Sequence, residues 1–444
     1  MIELSPAFVA IVMLGGLVLG VLTGYPLSFP IGTVALVVGY VLSGSAVFTI
    51  VYQQMFSLLH SYILLALPLF VMMGIVFEYS LIADKMYEAL FLWLSALKGG
   101  LAIVTLALGT ILAACVGVMS ASVTVLTSLA LPAMLKRGYD KSLACGVVCA
   151  GGSLGILIPP SVMLVIYGPM ARISVGKLFM AAIFPGFLLA FLYMLYVSVS
   201  CFFNPRLAPT ILKSERAVPF GKKLRLLLVS LVPPAFIITA VLGTIYMGIA
   251  PPTEAAAVGA FASLVLTVAY RRMTWKVMKA IALRTLNVTC MAMLLGAVSV
   301  AFTGVFLRAG AGKIVQDAVL AIPGGRWGVF GSVMLIYFFL GFFMDWIGIF
   351  FIMVPILAPL APALNFDPIW FGIMICVNLQ MSFLTPPFAF AIFVLQAVAP
   401  KELDITSADV IRGVVPFIFL IMVGLALCVA FPEIILWLPA RTIG

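Results

Sequence analysis

A proline pair occurs twice in this chain, in matching apolar surroundings 227 positions apart: Ile158-Pro159-Pro160-Ser161 and Leu384-Thr385-Pro386-Pro387. The same offset carries Pro132 to Pro359, Asp140 to Asp367, Cys149 to Cys376 and Gly32 to Gly259. With small insertions, Pro26 meets Pro252 and Pro185 meets Pro416. A repeat of half the chain predicts two copies of one fold unit. Two consecutive prolines lack two backbone donors and clash with the preceding turn, so each pair breaks the helix that contains it.

Apolar residues make up 65% of the chain and charged residues 9%, against roughly 45–50% and 25% in a soluble domain. The apolar runs are about 20 residues long, the length that crosses a bilayer. The predicted fold is therefore an all-α polytopic membrane protein. Its net charge of +10 does not indicate nucleic acid, because the basic residues sit between apolar runs and set topology instead. The N-terminus lacks the basic region of a cleavable signal, so the first run is expected to stay as a helix. Seven scattered cysteines and the single His60 support neither a disulfide framework nor a transition-metal site.

Spans are expected at 6–22, 27–46 and 61–80, followed by an amphipathic arm at 82–98 and an apolar pair at 100–136. An interrupted segment at 139–170 and a span at 176–203 complete the first half, 1–203. A basic linker, 204–225, leads into the second half, 226–444. There the plan returns as 226–248, 253–270, an arm at 272–285, 286–307, a pair at 328–362, the interrupted 366–399, and 406–431. Lys98 precedes the first pair and Lys136, Arg137 and Lys141 follow it, so a re-entrant hairpin keeps both basic ends on one side. With both pairs read as hairpins, 18 of the 24 Lys and Arg residues lie inside, the halves have opposite orientation, and both termini face outward.

Broken helices are tolerated at membrane depth only where something satisfies the freed backbone groups. A bound cation suits the carbonyls, and the N–H groups of the following half-helix suit a carboxylate. The hairpin tips are expected to face the breaks. Tip one, Gly117 to Thr124, offers small residues and the hydroxyls of Ser120 and Ser122. Tip two, Met344-Asp345-Trp346-Ile347-Gly348, places a carboxylate inside an apolar stretch, where a charge is costly and usually functional. The alternative role for Asp345 is a cap on the hairpin's second leg. Glu254 reads as a first-turn cap, and Gly16, Gly20 and Gly24 as a helix contact face.

Several runs resemble the large membrane subunit of the tripartite ATP-independent periplasmic (TRAP) transporters. These are Leu67-Pro68-Leu69-Phe70, Gly138-Tyr139-Asp140, Gly151-Gly152-Ser153-Leu154-Gly155 through to Ser161, and Tyr167-Gly168. Pro252-Thr253-Glu254 through to Gly259, and Asn378 followed by Thr385-Pro386-Pro387, belong with them. The resemblance covers nearly the whole chain. It implies an elevator-type secondary transporter in a bacterial inner membrane, coupled to Na+ and without a cofactor. It also implies two partners, a small four-helix membrane subunit and a periplasmic protein that delivers an organic acid.

Carried onto this sequence, the resemblance makes Gly117, Ser120, Ser122, Gly155, Pro159, Asp345, Gly348, Thr385 and Pro386 the expected sodium-binding residues. Arg308, Ser153, Ser161 and Asn378 are the expected substrate-binding residues, Arg308 because a guanidinium fork suits a carboxylate. Tip one departs from the family's Ser-Gly-Ser-Ser-like string, with Cys115-Val116 at its start and Ala121 between the serines, which leaves open which hydroxyl binds. A stand-alone anion carrier of the same superfamily is the alternative. An enzyme is disfavoured by one histidine and no paired carboxylates in the spans, and a channel by the lack of a charged ring.

Overall fold

The computed structural model describes residues 4–209 and 218–441. Of the linker read at 204–225, residues 210–217 lie outside the described residues, as do the extreme termini whose side was assigned above. In the first half the helices are α1 (Pro6–Leu22), α2 (Ser28–Ser43), α3 (Ala46–Leu59), α4 (Ala66–Tyr79) and α5 (Ile82–Leu94). They continue as α6 (Gly100–Val116), α7 (Met119–Leu135), α8 (Lys141–Ser153), α9 (Val162–Ala171) and α10 (Val175–Phe203). After the linker come α11 (Phe220–Tyr246), α12 (Pro252–Ala269), α13 (Trp275–Arg308), α14 (Ala311–Leu320), α15 (Gly325–Leu340) and α16 (Trp346–Leu357). The chain ends with α17 (Leu360–Ala363), α18 (Pro368–Ser382), α19 (Phe390–Val398), α20 (Ser407–Ala430) and α21 (Glu433–Leu436). Among the described residues, seven helical stretches are long and apolar enough to cross a membrane.

Helices α6 and α7 reverse direction over Gly117 and Val118 alone, and Gly117 sits at φ +63, a conformation that glycine adopts without strain. Their far ends meet again: the Tyr139 hydroxyl accepts from Leu101 N at 3.1 Å, and Thr105 lies against the Met134 sulfur. The pair is an antiparallel hairpin. Helices α15 and α16 form the second one, closed at its base by Trp327 against Phe366, with ring centroids 5.1 Å apart. Each broken helix starts on an aspartate cap. Asp140 accepts from Leu143 N at 2.9 Å, and Asp367 from Ile369 N at 2.7 Å. A cap of this kind contributes about 1 kcal/mol.

The half-helices after the breaks cross over. Helix α9, of the first half, packs on α16 of the second hairpin, where Tyr167 meets Phe350 edge-on at 5.3 Å. Helix α19 packs on α7 of the first. Between α8 and α20 the backbones touch directly, since a Cβ on Gly146 would overlap the Gly413 carbonyl. Around this unit lie α4 on α12, α11 on α5 and α12, and α13 on α2, α3 and α4. Gly16 and Gly20 pack against Val34 and Pro30 of α2 and form a helix contact face, whereas Gly24 lies beyond the end of α1 with nothing within 4 Å of its Cβ position.

Two features differ from the sequence reading. The arm at 272–285 and the span at 286–307 are one uninterrupted helix, α13, because no proline, glycine or cap separates the amphipathic part from the apolar part. At about 1.5 Å per residue it is roughly 50 Å long, well beyond a hydrocarbon core of about 30 Å. Helices α3 and α14 occupy stretches to which no element was assigned; both are shorter than a span.

Candidate ion and substrate site

The first break is sealed by the first hairpin tip. Pro159, Pro160 and Ser161 are buried, and the bond between the prolines is cis. Val162 N, which follows the break, donates to the Gly117 carbonyl at 3.5 Å, and a Cβ on Gly117 would stand 2.8 Å from the Pro160 carbonyl. One turn on, a Cβ on Gly155 would stand 2.7 Å from the Ser122 hydroxyl. Gly117, Ser122, Gly155, Pro159 and Ser161 are therefore brought together. Ser161 caps α9: its hydroxyl accepts from Leu164 N at 3.4 Å and donates to the Ile156 carbonyl, bridging the unwound turn. Ser120 is the second residue of α7, half-buried and without a side-chain hydrogen bond among the described residues.

The second break is more open. Pro386 and Pro387 are exposed, their connecting bond also cis, and the Thr385 hydroxyl donates to the Met381 carbonyl at 2.8 Å. Tip two meets this helix one turn before the prolines, where Gly341 lies against the Ser382 hydroxyl. Asp345 caps α16, accepting from Ile347 N at 3.2 Å, and is half-buried. Gly348 faces Met344 of its own tip, Ile31 of α2 and Leu295 of α13.

Sequence reasoning missed Ser382 and Gln380. Both are buried, and neither the Ser382 hydroxyl nor the Gln380 amide has a partner among the described residues. A buried polar side chain without a partner is uncommon and needs an explanation, such as an unseen water or ion. The repeat offset would have found them, since it maps Ser382 onto Gly155 and Gln380 onto Ser153.

The expected substrate residues are not gathered at one place. Ser153 donates to the Ala150 carbonyl of its own helix at 2.9 Å, and Asn378 donates to the Met334 carbonyl at 2.8 Å, tying α18 to α15. Arg308 is exposed and lines a separate cavity of about 430 Å³ with Leu4, Ser43 and Ile50, apart from both tips. Glu254, in the first turn of α12, accepts from the Tyr62 hydroxyl at 2.8 Å. Among the described residues no His, Cys, Asp or Glu cluster could hold a transition metal. The donors at the two breaks are hydroxyls, amides, carbonyls and one carboxylate, which suit a hard cation.

Apolar helices throughout, with two hairpins set against two broken helices, define a multi-pass membrane transporter. Residues 14–434 match the family described as "Tripartite ATP-independent periplasmic transporter, DctM component". The chain belongs to that family and is a large permease subunit of the TRAP type. It is 29% identical to the ectoine TRAP transporter large permease protein TeaC of Halomonas elongata, over 94% of this chain and 96% of that one. It is 31% identical to the C4-dicarboxylate TRAP transporter large permease protein DctM of Pseudomonas aeruginosa, over 87% and 88%. Against the sialic acid TRAP transporter large permease protein SiaM of Vibrio cholerae it is 31% identical over 95% and 96%. Its fold is similar to the crystal structure of the Alcanivorax borkumensis YdaH transporter, with TM-score 0.54, 15% identity, and coverage of 84% of this chain and 88% of that one.

Proposed function

We propose that this subunit imports an organic acid across a bacterial inner membrane, coupled to sodium, with a small membrane subunit and a periplasmic binding protein as partners. The observation that carries the reading is the contact of each hairpin with its own broken helix, Gly117 on Pro160 and Gly341 on Ser382. It puts unwound backbone and uncommitted hydroxyls where an ion can be held. The relatives are named for ectoine, C4-dicarboxylates and sialic acid, substrates that all carry a carboxylate.

The halves 1–203 and 226–444 are inverted repeats in this reading, with the linker cytoplasmic and both termini periplasmic. Support comes from the matched aspartate caps and from the crossed packing of α9 on α16 and α19 on α7. The two hairpins and two broken helices form a carrier unit. It slides as a block against α11, α12 and the other outer helices, taking ion and acid together.

Uptake into proteoliposomes holding both membrane subunits tests the function. Supplied with binding protein, they should accumulate one acid from a panel of dicarboxylates, sugar acids and zwitterionic acids, and only with an inward sodium gradient. Equal uptake with potassium replacing sodium refutes the coupling. Equal uptake without the binding protein favours a stand-alone carrier.

A further inference from the structure

A cavity of about 610 Å³ opens between the first hairpin and the helix corners beside it. One wall is α7, which presents Thr124 and Ser128. The others are the α4–α5 corner, with Glu78 and Asp84, and the α12–α13 corner, with Arg271 and Arg272. Both corners turn on non-glycine residues in left-handed backbone, Leu81 at φ +55 and Arg271 at φ +56. Strain of that kind persists only where the surroundings fix it, and it tends to cluster at functional sites.

The charges in this crevice do not cancel. Glu78 is held by Arg284 at 2.7 Å. The guanidiniums of Arg271 and Arg272 and the Asp84 carboxylate have no side-chain partner among the described residues. Lys85 adds a further positive charge alongside, over the Tyr270 ring at 4.4 Å. On the facing wall, Ser120, Thr124 and Ser128 stand four residues apart, on one stripe of α7 that leads down from the hairpin tip. Ser120 and Thr124 are half-buried and Ser128 is exposed, so the stripe becomes more accessible toward the arginines.

We propose that this crevice is an anion-selecting exit vestibule. A carboxylate released near tip one passes along the hydroxyls and is drawn out by Arg271 and Arg272 toward the cytoplasm. The proposal rests on the transport reading above, but its test does not. Ser128→Cys is introduced into the full-length chain with Cys290→Ser, which removes the exposed native thiol. Everted membrane vesicles then present the cytoplasmic face to two impermeant methanethiosulfonates of similar size, one with a sulfonate and one with a trimethylammonium group.

Relative to a free thiol in solution, the sulfonate reagent should be favoured at least about fivefold, the effect of the net unit charge of the unpaired lining residues roughly 8 Å away in water, to which Lys85 adds. Arg271→Gln with Arg272→Gln should abolish the preference, because the remaining charges of Asp84 and Lys85 then offset one another. Thr124→Cys, deeper in the crevice, should react more slowly with the same preference. Equal rates, preference for the cationic reagent, or no reaction from the cytoplasmic face overturns the proposal. No sodium, acid or partner is present, so failed uptake with selectivity retained refutes only the transport reading, and the converse result refutes only the vestibule.

Discussion

Gly117 is the residue on which the first tip depends, and Gly117→Ala gives its contribution a magnitude. A side chain at φ +63 costs about 1–2 kcal/mol for the left-handed backbone alone. The added Cβ would also stand 2.8 Å from the Pro160 carbonyl. That atom is backbone and cannot swing away, so the overlap adds about 1–3 kcal/mol, the range for an extra methyl in a packed interior. Gly310 is the control: at φ +74 and ψ 2 it shares the left-handed conformation of Gly117, and the nearest atom to its Cβ position, Pro6 Cγ, stands at an ordinary contact distance of 3.5 Å. Thermal unfolding of the purified protein in nanodiscs should show Gly117→Ala less stable than Gly310→Ala by about that 1–3 kcal/mol. Sodium separates function from packing. An ion that binds only the folded protein stabilises it by about 2.7 kcal/mol at a hundredfold excess over its Kd. The wild type and Gly310→Ala should gain Tm on adding sodium, whereas Gly117→Ala, its tip displaced from Pro160, should gain little. The packing argument fails if the two variants unfold alike. A full sodium response in Gly117→Ala removes the tip from the ion site.

Asp345→Asn and Asp345→Ala divide the cap from the charge. Asparagine caps as well as aspartate and alanine loses about 1 kcal/mol. If the carboxylate holds sodium, both variants lose sodium-dependent uptake while only the alanine variant loses stability; full uptake by Asp345→Asn leaves the residue a cap. For topology, a cysteine at Asn204 should be labelled from the cytoplasmic face and one at Ala363 from the periplasmic face, each in a chain carrying Cys290→Ser. Labelling of both from one face refutes the inverted arrangement.

Much of this fold was legible because bilayer spans need long apolar runs and helix breaks need proline. The proline pairs located both breaks, and Asp140 and Asp367 marked the starts of the helices that contain them. Short amphipathic helices such as α3 and α14 gave no such signal. Continuity was also hidden along α13, where hydropathy changes but the backbone does not. Side-chain direction was the least legible property. Ser153 and Asn378 lie on the helices that precede the breaks, yet both hydrogen-bond to backbone carbonyls, and Gly348 turns toward α2 and α13. Tip two meets α18 through Gly341 and Ser382, and of these only Ser382 is singled out by the repeat offset.

The claim at the centre of this account is that the hairpins and broken helices move as one body. Spin labels at Lys136 and Ala363, at the bases of the two hairpins, and at Met247, at the end of α11, report it by pulsed electron resonance. On adding sodium, binding protein and the transported acid, the Lys136–Ala363 distance should stay constant while both distances to Met247 change. A changing Lys136–Ala363 distance with Lys136 fixed relative to Met247 would contradict the sliding block.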